Sequence, residues 1–580
     1  MWSSSPQASS SRTRLKDSSS SSTTLRSETS PLLDNSTIRK GKFNMVSMML
    51  GFKPKNTPIN NDEAAAVIDP TAHVDLHTGA VVEKKSKRER LFIARLDSIL
   101  LVYLMISQII KYLDQQNISA AYVSGMKEDG SMLGKLCLIT AYSDLANLDF
   151  RRYAIFLIPS QIIITRVRPS LWLPCLETCW GILTISMYKV TSAKQVYILR
   201  AFIGCFEATC YPGAIMLLMS WYTPTELAFR IGFYHSCQTV GNMLAGALQA
   251  AIYKNLNGRH GISGWRWMMI IDGILTLFVA CAGFVLIPDF PTKPNPLSFW
   301  LRPKHVAVAV ERTKKFKRAD NKKFTLSSVK KAITGPLFYC FVILYVASVL
   351  AQASYQYFNL YLKSLKNADG SATWSVAQIN AIPIGGGAIT IVTIWTVGYL
   401  SDRFQNRWIP VVVQACIGII PGIIMSIWNV SSGISRAGVY FSYFVCFLTL
   451  ATAPCIWAWL SDLNPFDAEQ RAFTLGFAIA FYYACGAWSS PLIWPAKTAP
   501  VYKYGWPVQI ALWCLVIFMV FLLRFVEIKH IRPKNRRILE EKEEAAQVAH
   551  REAELQAADD IDKKDTQVHT ITPVRSGESV

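Results

Sequence analysis

Eleven runs of this sequence are each long and apolar enough to cross a hydrocarbon layer, which takes roughly 20 residues of helix. They lie near 97–120, 171–188, 195–220, 230–252, 266–287, 337–361, 376–400, 408–428, 437–460, 472–494 and 506–526. Within lipid a backbone must satisfy its own hydrogen bonds, so runs of this length fold as helices. Only 17% of the 580 residues are charged and 51% are hydrophobic, whereas about a quarter of an ordinary soluble chain is charged. A soluble enzyme, a coiled coil and a disordered chain are thereby excluded as the main fold. The expected class is an all-α membrane protein.

A twelfth span belongs between the first two, and it is damaged. Tyr153–Ile164 supplies only twelve residues, and the stretch before it holds Lys135, Asp144, Asp149, Arg151 and Arg152. Residues 131–152 read as retained intron sequence or a mis-spliced gene model, in which case the chain as written is inactive. Counting this span, the helices form two sets of six, with parallel landmarks. Gly264-Trp265 and Gly505-Trp506 each open the last span of a set, and Glu226…Arg230 and Glu469…Arg471 each precede the fifth. The expected domains are a Ser-rich disordered tail (1–90), a six-helix half (91–287), a basic central loop (288–335), a second half (336–528) and a charged tail (529–580). That last tail reads as a solvated helix from about 537.

The net charge of +21 could by itself suggest nucleic acid, but its distribution argues otherwise. With the N-terminus inside, 29 Lys and Arg fall on the inner side and 11 in the outer loops, leaving aside 133–152. Basic residues mark the cytoplasmic face, so both termini are expected there and nucleic acid is not a partner. The 13 cysteines are scattered without ligand spacing, so neither a metal nor a cofactor is expected. There is no Walker loop, no H-E-x-x-H and no nucleophile elbow, so the chain is not expected to be an enzyme.

An ionisable side chain inside a membrane helix is a functional candidate by default, because its burial costs several kcal/mol. The first set holds Lys111, Asp114, Glu177, Arg200, Glu207 and Asp272, and the second is nearly free of charge. Lys111, Asp114 and Asn117 fall on one helical face, as do Arg200 and Glu207 on theirs. Counting ~1.5 Å per residue puts Asp114 and Arg200 at one depth. Arg200 offers a fork that suits a carboxylate, and buried Asp114 and Glu207 suit proton carriage. Lys111, near the outer end, is expected to reach water. Glu177 and Asp272 are equally open to pairing or function, and His235 reads as a packed polar residue. Gly241-x-x-x-Ala245 permits close helix approach. Gln352, Tyr355 and Asn359 share a face at helical spacing and offer neutral hydrogen bonds to a polar ligand. Tyr482, Tyr483 and Trp488 read as aromatic packing.

Gly398-Tyr-Leu-Ser-Asp402-Arg403-Phe-Gln-Asn-Arg407 resembles the G-x-x-x-D-R-x-x-x-R loop of the major facilitator superfamily, whose fold is two six-helix repeats. Further segments narrow the likeness: Lys111 to Asp129, Arg200-Ala-Phe-Ile-Gly-Cys-Phe-Glu207 with Tyr211-Pro-Gly213, Trp265-Arg-Trp267 with Ile271-Asp-Gly273, and Tyr357 to Lys363. Together they resemble the fungal allantoate-permease group of anion:cation symporters, most of all its pantothenate and vitamin H (biotin) transporters. The likeness spans about 97–527, except 131–152.

The resemblance implies a monomeric, multi-pass plasma-membrane symporter that takes up a small organic anion with protons by alternating access. Asp114 and Glu207 would be the proton sites and Arg200 the anion site. Lys111 would supply the charge that many relatives carry as Arg at position 115, where this chain has Gln115. Gly398, Asp402, Arg403 and Arg407 would form the gating loop on the inner side. Pantothenate is the first substrate expected, then biotin, then allantoate or another ureide or nicotinate-type acid. The rival of another class is a nutrient sensor with a transporter fold that signals through its tails.

Overall fold

Each of the eleven apolar runs is helical in the computed structural model, three of them (195–220, 337–361 and 437–460) as two successive helices. The structure describes residues 73–74, 81–82, 85–121, 126, 156–164, 166–316, 325–367, 369, 371, 373–431, 434–495, 498 and 501–569. The doubtful stretch 131–152 lies outside the described residues, as does most of the N-terminal tail.

Helix α1 (Lys87–Leu96), capped by the Ser86 hydroxyl, runs through a π turn at Asp97–Leu101 into α2 (Val102–Ala121). A helical stretch follows at 156–164. Then come α3 (Pro169–Ser186), α4 (Ala193–Glu207), α5 (Cys210–Trp221), α6 (Leu227–Leu256) and α7 (Gly264–Leu286). The central loop contributes α8 (Pro303–Lys315) and α9 (Leu326–Thr334). The second set is α10 (Pro336–Ala351), α11 (Phe358–Ser364), α12 (Val376–Phe404), α13 (Trp408–Ser431), α14 (Arg436–Leu448), α15 (Thr452–Leu463), α16 (Ala468–Ile493) and α17 (Gly505–Val526). Helix α18 (Arg532–His569) continues from the last span; Asn535 in its first turns is buried against the Leu463 carbonyl, and residues 540–545 and 547–556 are exposed. It begins a few residues before the expected start.

Among the described residues nine helices are long and apolar enough to cross a membrane. Helices α3 and α6 are helical where expected but are not among the nine. Glu177 and two prolines dilute α3, and His235, Gln238, Asn242 and Gln249 dilute α6. Such helices are shielded by neighbours. A Cβ on Gly273 of α7 would lie 2.4 Å from Ile185 Cγ1 and 2.9 Å from the Gly181 carbonyl on α3. A Cβ on Gly241 of α6 would lie 2.8 Å from Tyr112 Cβ and 2.9 Å from the Ile109 carbonyl on α2. The close approach expected at Gly241 is therefore present, between the first and fifth spans.

The two halves meet chiefly through α6 against α12 and α15, and α5 against α16. Phe233 stacks on Trp395 at 4.7 Å, and the Trp395 indole donates to the Ser236 hydroxyl at 3.1 Å.

On the face that bears the central loop, each loop helix is tied to a different half. Arg312 of α8 donates to Glu226, just before α6, and to Glu89 of α1 at 3.0 Å. Lys85 also donates to Glu226. Arg230 grips Asp97 with two bonds of 2.7 Å and lies over the Tyr222 ring. In the second half, Ser328 of α9 donates to Glu469 and Lys331 pairs with Asp467 at 3.0 Å. The two acidic landmarks of the sequence thus each hold one loop helix.

Burial by itself would raise the Glu226 carboxyl, but the charges of Arg312, Arg230 and Lys85 outweigh it and hold the group down at about 2. A carboxyl depressed below its ordinary 4.5 contributes stability that is complete above that value and is lost as pH falls from there toward 2. A shift of this size is worth on the order of 3 kcal/mol. We expect trypsin to cut the central loop of the detergent-solubilised protein slowly at neutral pH. Glu226→Gln, which mimics the acid form, should be cut at least several-fold faster at the same pH. Equal rates would show that this cluster does not hold α8.

Candidate functional site

The first-half charges converge between α2, α3, α4 and α7. Asp114, on the buried face of α2, has no exposed surface, and Arg200 on α4 is 5% exposed. Arg200 Nη1 donates to the Asp114 backbone carbonyl at 3.1 Å, and Nη2 lies 3.5 Å from Asp114 Oδ1. The equal depth expected from residue counting is what the helices deliver. Thr184 of α3 donates to Asp114 Oδ2 at 2.9 Å.

Among the described residues Arg200 Nε and Nη2 are buried without a hydrogen bond, Nη2 standing only in the 3.5 Å ion pair with Asp114. These two nitrogens form one edge of the guanidinium, the edge that binds a carboxylate with two parallel bonds. This edge of the buried guanidinium, beside Asp114, has hydrogen-bonding capacity for a further acceptor.

Gln115, next to Asp114 in the chain, donates to Glu207 Oε2 at 3.0 Å. Gln115 therefore stands against Glu207 as a neutral donor at the position where relatives are expected to carry Arg. Glu207 also lies within the fields of Lys111 and Asp114. Lys111 does not reach water: it is 1% exposed, with its ammonium 5.6 Å from the Tyr112 ring centroid. The expectation for Lys111 is corrected because α2 is buried on this face even near its outer end.

Asn117 and Asp272 complete the cluster. Asn117 Nδ2 donates to Asp272 Oδ2 on α7 and lies 3.5 Å from Asp114 Oδ1. Asp272, open between pairing and function in the sequence, is paired here with the Asn117 amide. Thr184 was not singled out, because a lone threonine in an apolar run carries no signal. Glu177 is separate, accepting from Ser107 at 2.8 Å and Tyr103 at 3.0 Å beside a small cavity lined also by Trp180 and Cys210. His235 pairs with the Tyr211 hydroxyl at 3.0 Å and is a packed polar residue, as expected.

The second-half candidates do not share a face. The expected single helix breaks at a 3-10 turn, Ala353–Tyr357, between α10 and α11. Gln352 is buried and donates to Thr452 at 2.5 Å, Tyr355 packs on Phe447, and Asn359 is exposed. The tighter turn rotates Asn359 away from the other two. Tyr482 and Tyr483 pack ring to ring, while Trp488 is exposed.

The loop motif makes a second polar site, at the loop-side junction of the halves. Gln405, at φ +49°, ends α12 in a left-handed cap and folds the motif back. Asp402 accepts from the backbone N–H groups of Ala228 (3.2 Å) and Phe229 (2.8 Å), at the start of α6. Arg407 reaches Asp402 at 2.5 Å, Asp462 at 2.8 Å and the Pro224 carbonyl. Gly398 lets the helices touch, since a Cβ there would lie 3.1 Å from Phe229 Cα. Arg403 is exposed.

Residues 104–490 match the sequence profile of the Major Facilitator Superfamily. A fungal relative, MFS transporter PfmaC of Pestalotiopsis fici, is 34% identical over 73% of this chain and 78% of its own length. The Vitamin H transporter of Saccharomyces cerevisiae is 28% identical over 77% of this chain and 74% of its own. The Pantothenate transporter liz1 of Schizosaccharomyces pombe is 28% identical over 78% and 85%. Among solved structures, the proton:xylose symporter XylE superposes with a TM-score of 0.57 at 14% identity, covering 76% of this chain and 96% of that one.

Proposed function

We propose that this chain, which belongs to the Major Facilitator Superfamily, is a symporter of the anion:cation group that imports a small organic carboxylate together with protons. The observation that carries this is the buried Arg200 fork, whose Nε and Nη2 have no hydrogen bond among the described residues and only a 3.5 Å ion pair from Nη2 to Asp114. A substrate carboxylate would fill that edge. Asp114 and Glu207 are the carboxyls that take up and release protons as the anion arrives and leaves, so that the buried charge stays near balance. Lys111 and Asn117 extend the polar surface on the first-half side. Gln352 and Tyr355 offer neutral contacts from the second half.

Pantothenate is the first substrate, with biotin next and allantoate or another ureide or nicotinate-type acid after it. Each carries a carboxylate, and two relatives are named for the first two. Alternating access takes the form of rocking of the halves about this site, with the Asp402–Arg407 junction opening and closing. The skew of Lys and Arg toward the central-loop face supports placing both termini in the cytoplasm, and import of an external acid would place the protein in the plasma membrane.

The test is uptake of labelled pantothenate, biotin, allantoate and nicotinate by fungal cells lacking their own importers. One acid should accumulate at acidic external pH, and a protonophore should cut its uptake severalfold. Uptake indifferent to both pH and protonophore would refute proton coupling.

A further inference from the structure

The cluster around Arg200 holds more acid than base. Among the described residues it contains two cations, Lys111 and Arg200, and three carboxyls, Asp114, Glu207 and Asp272, all at most 5% exposed. With every group ionised the cluster is left with an uncompensated negative charge in a place where charge is costly. One proton removes the deficit. The partners of each carboxyl indicate where that proton sits.

Asp114 faces the Arg200 guanidinium and accepts from the Thr184 hydroxyl. Glu207 accepts from Gln115 and lies in the field of Lys111. Among the described residues Asp272 has the Asn117 amide as its one direct hydrogen-bond partner. Asn117 Oδ1 and Asp272 Oδ1, one from each member of this pair, are both buried acceptors without a donor. Two acceptors cannot satisfy each other. A carboxylic acid beside an amide can, because its O–H supplies the missing donor.

We propose that Asp272 is a proton-carrying residue of the transport cycle and holds its proton in the conformation seen here. The inference rests on the proton-coupled function proposed above and adds to it a carboxyl on the sixth span. The groups facing Asp272 fit the role. Helix α2 brings Asp114 and Asn117, and α4 brings Arg200 and Glu207. Helix α3 brings Thr184, with Glu177 two turns away on its own hydroxyl partners. The turn after α3 carries Tyr188 and Lys189, and Arg266 of α7 is held there by the Tyr188 carbonyl. Helix α6 packs on α7 through Leu248, Ile252 and Leu256, with Lys254 exposed at that end.

When a substrate carboxylate fills the Arg200 fork, the cluster gains a negative charge and Asp272 keeps its proton. Once the substrate has left on the inner side, the Asp272 O–H breaks and the proton passes to water there. Asp114 is then free to hold Arg200 alone. The proton is replaced from external water when the site next faces outward.

The test uses the full-length protein in proteoliposomes with labelled pantothenate and Asp272→Asn, which keeps size and hydrogen bonding but cannot release a proton. Wild type should show uptake driven by an inward proton gradient as well as exchange of internal for external pantothenate. In the variant, exchange should stay within about twofold of wild type while gradient-driven uptake falls at least tenfold. Gradient-driven uptake that survives in Asp272→Asn overturns the proposal. If Asp272→Asn fails to exchange, Asp272→Glu decides. A displaced pH midpoint of uptake supports the proposal, whereas an unchanged midpoint, or loss of exchange in this variant too, makes Asp272 a packing residue. A wild type indifferent to the gradient instead overturns the symport proposed in the preceding section.

Discussion

Arg200→Lys will raise the half-saturating substrate concentration roughly ten- to a hundredfold, although the charge is kept. Lysine is a point charge on a flexible stem and cannot present two coplanar donors. The Arg200 guanidinium divides its work. Nη1 holds the Asp114 backbone carbonyl, while the Nε and Nη2 edge is left open. A lysine can keep one of these tasks, and losing a charge-assisted hydrogen bond costs about 1.5–3 kcal/mol, which is the affinity change predicted. Arg200→Ala should do more. It leaves Asp114 with only Thr184 and Asn117, so protein at the membrane should fall as well as uptake. The measurement is uptake kinetics together with surface amount for both variants. A well-expressed Arg200→Lys protein with normal substrate affinity would remove Arg200 from the binding site and leave it a helix-joining residue.

That fork was half legible in the sequence. The arginine, its depth and its carboxylate partner follow from helix rise and from the cost of burying charge. The open edge does not, because it depends on which nitrogen faces Asp114, and residue spacing does not set that. Asn117 and Asp272 show the same limit. Each reads as polar within an apolar run, but their contact depends on how α7 is rotated against α2, where Gly273 sits tight on α3. Helices α3 and α6 were found as runs despite their polar residues, because the rest of each run is apolar. The break after Gln352 was not legible. Ala353–Tyr357 contains neither glycine nor proline, so nothing local announces the 3-10 turn that separates Gln352 from Asn359. On the loop face, Glu226 and Glu469 stood out only as repeated landmarks. Their cationic and hydroxyl partners come from a loop whose charges look merely solvated in sequence, and only the fold brings them inward.

The junction on that face gives the other large effect. Asp402 binds the first turn of α6 through two backbone N–H groups, where the positive end of the helix dipole adds to the attraction. It also balances Arg407, which reaches Asp462 in its own half and the Pro224 carbonyl in the other. Asp402→Asn keeps the shape but loses the charge from both contacts. At about 1.5–3 kcal/mol for charge-assisted bonds, the population with this face open should rise roughly ten- to a hundredfold. Arg407→Ala is harsher, because it strands Asp402 and Asp462 together in a buried place and costs about 3–5 kcal/mol. The natural reporter is Cys455, fully buried on α15 within the fields of Arg407 and Asp402. In membranes exposing the central-loop face, a water-soluble maleimide should label Cys455 at least tenfold faster in Asp402→Asn than in wild type, with peptide mass spectrometry separating it from the other cysteines. Substrate uptake should fall in parallel, since a site that no longer closes on this side cannot present itself to the other. An unchanged Cys455 labelling rate in a well-folded Asp402→Asn protein would mean that the halves are held here by the Gly398–Phe229 contact alone, and that the charges of the loop motif serve only its own fold.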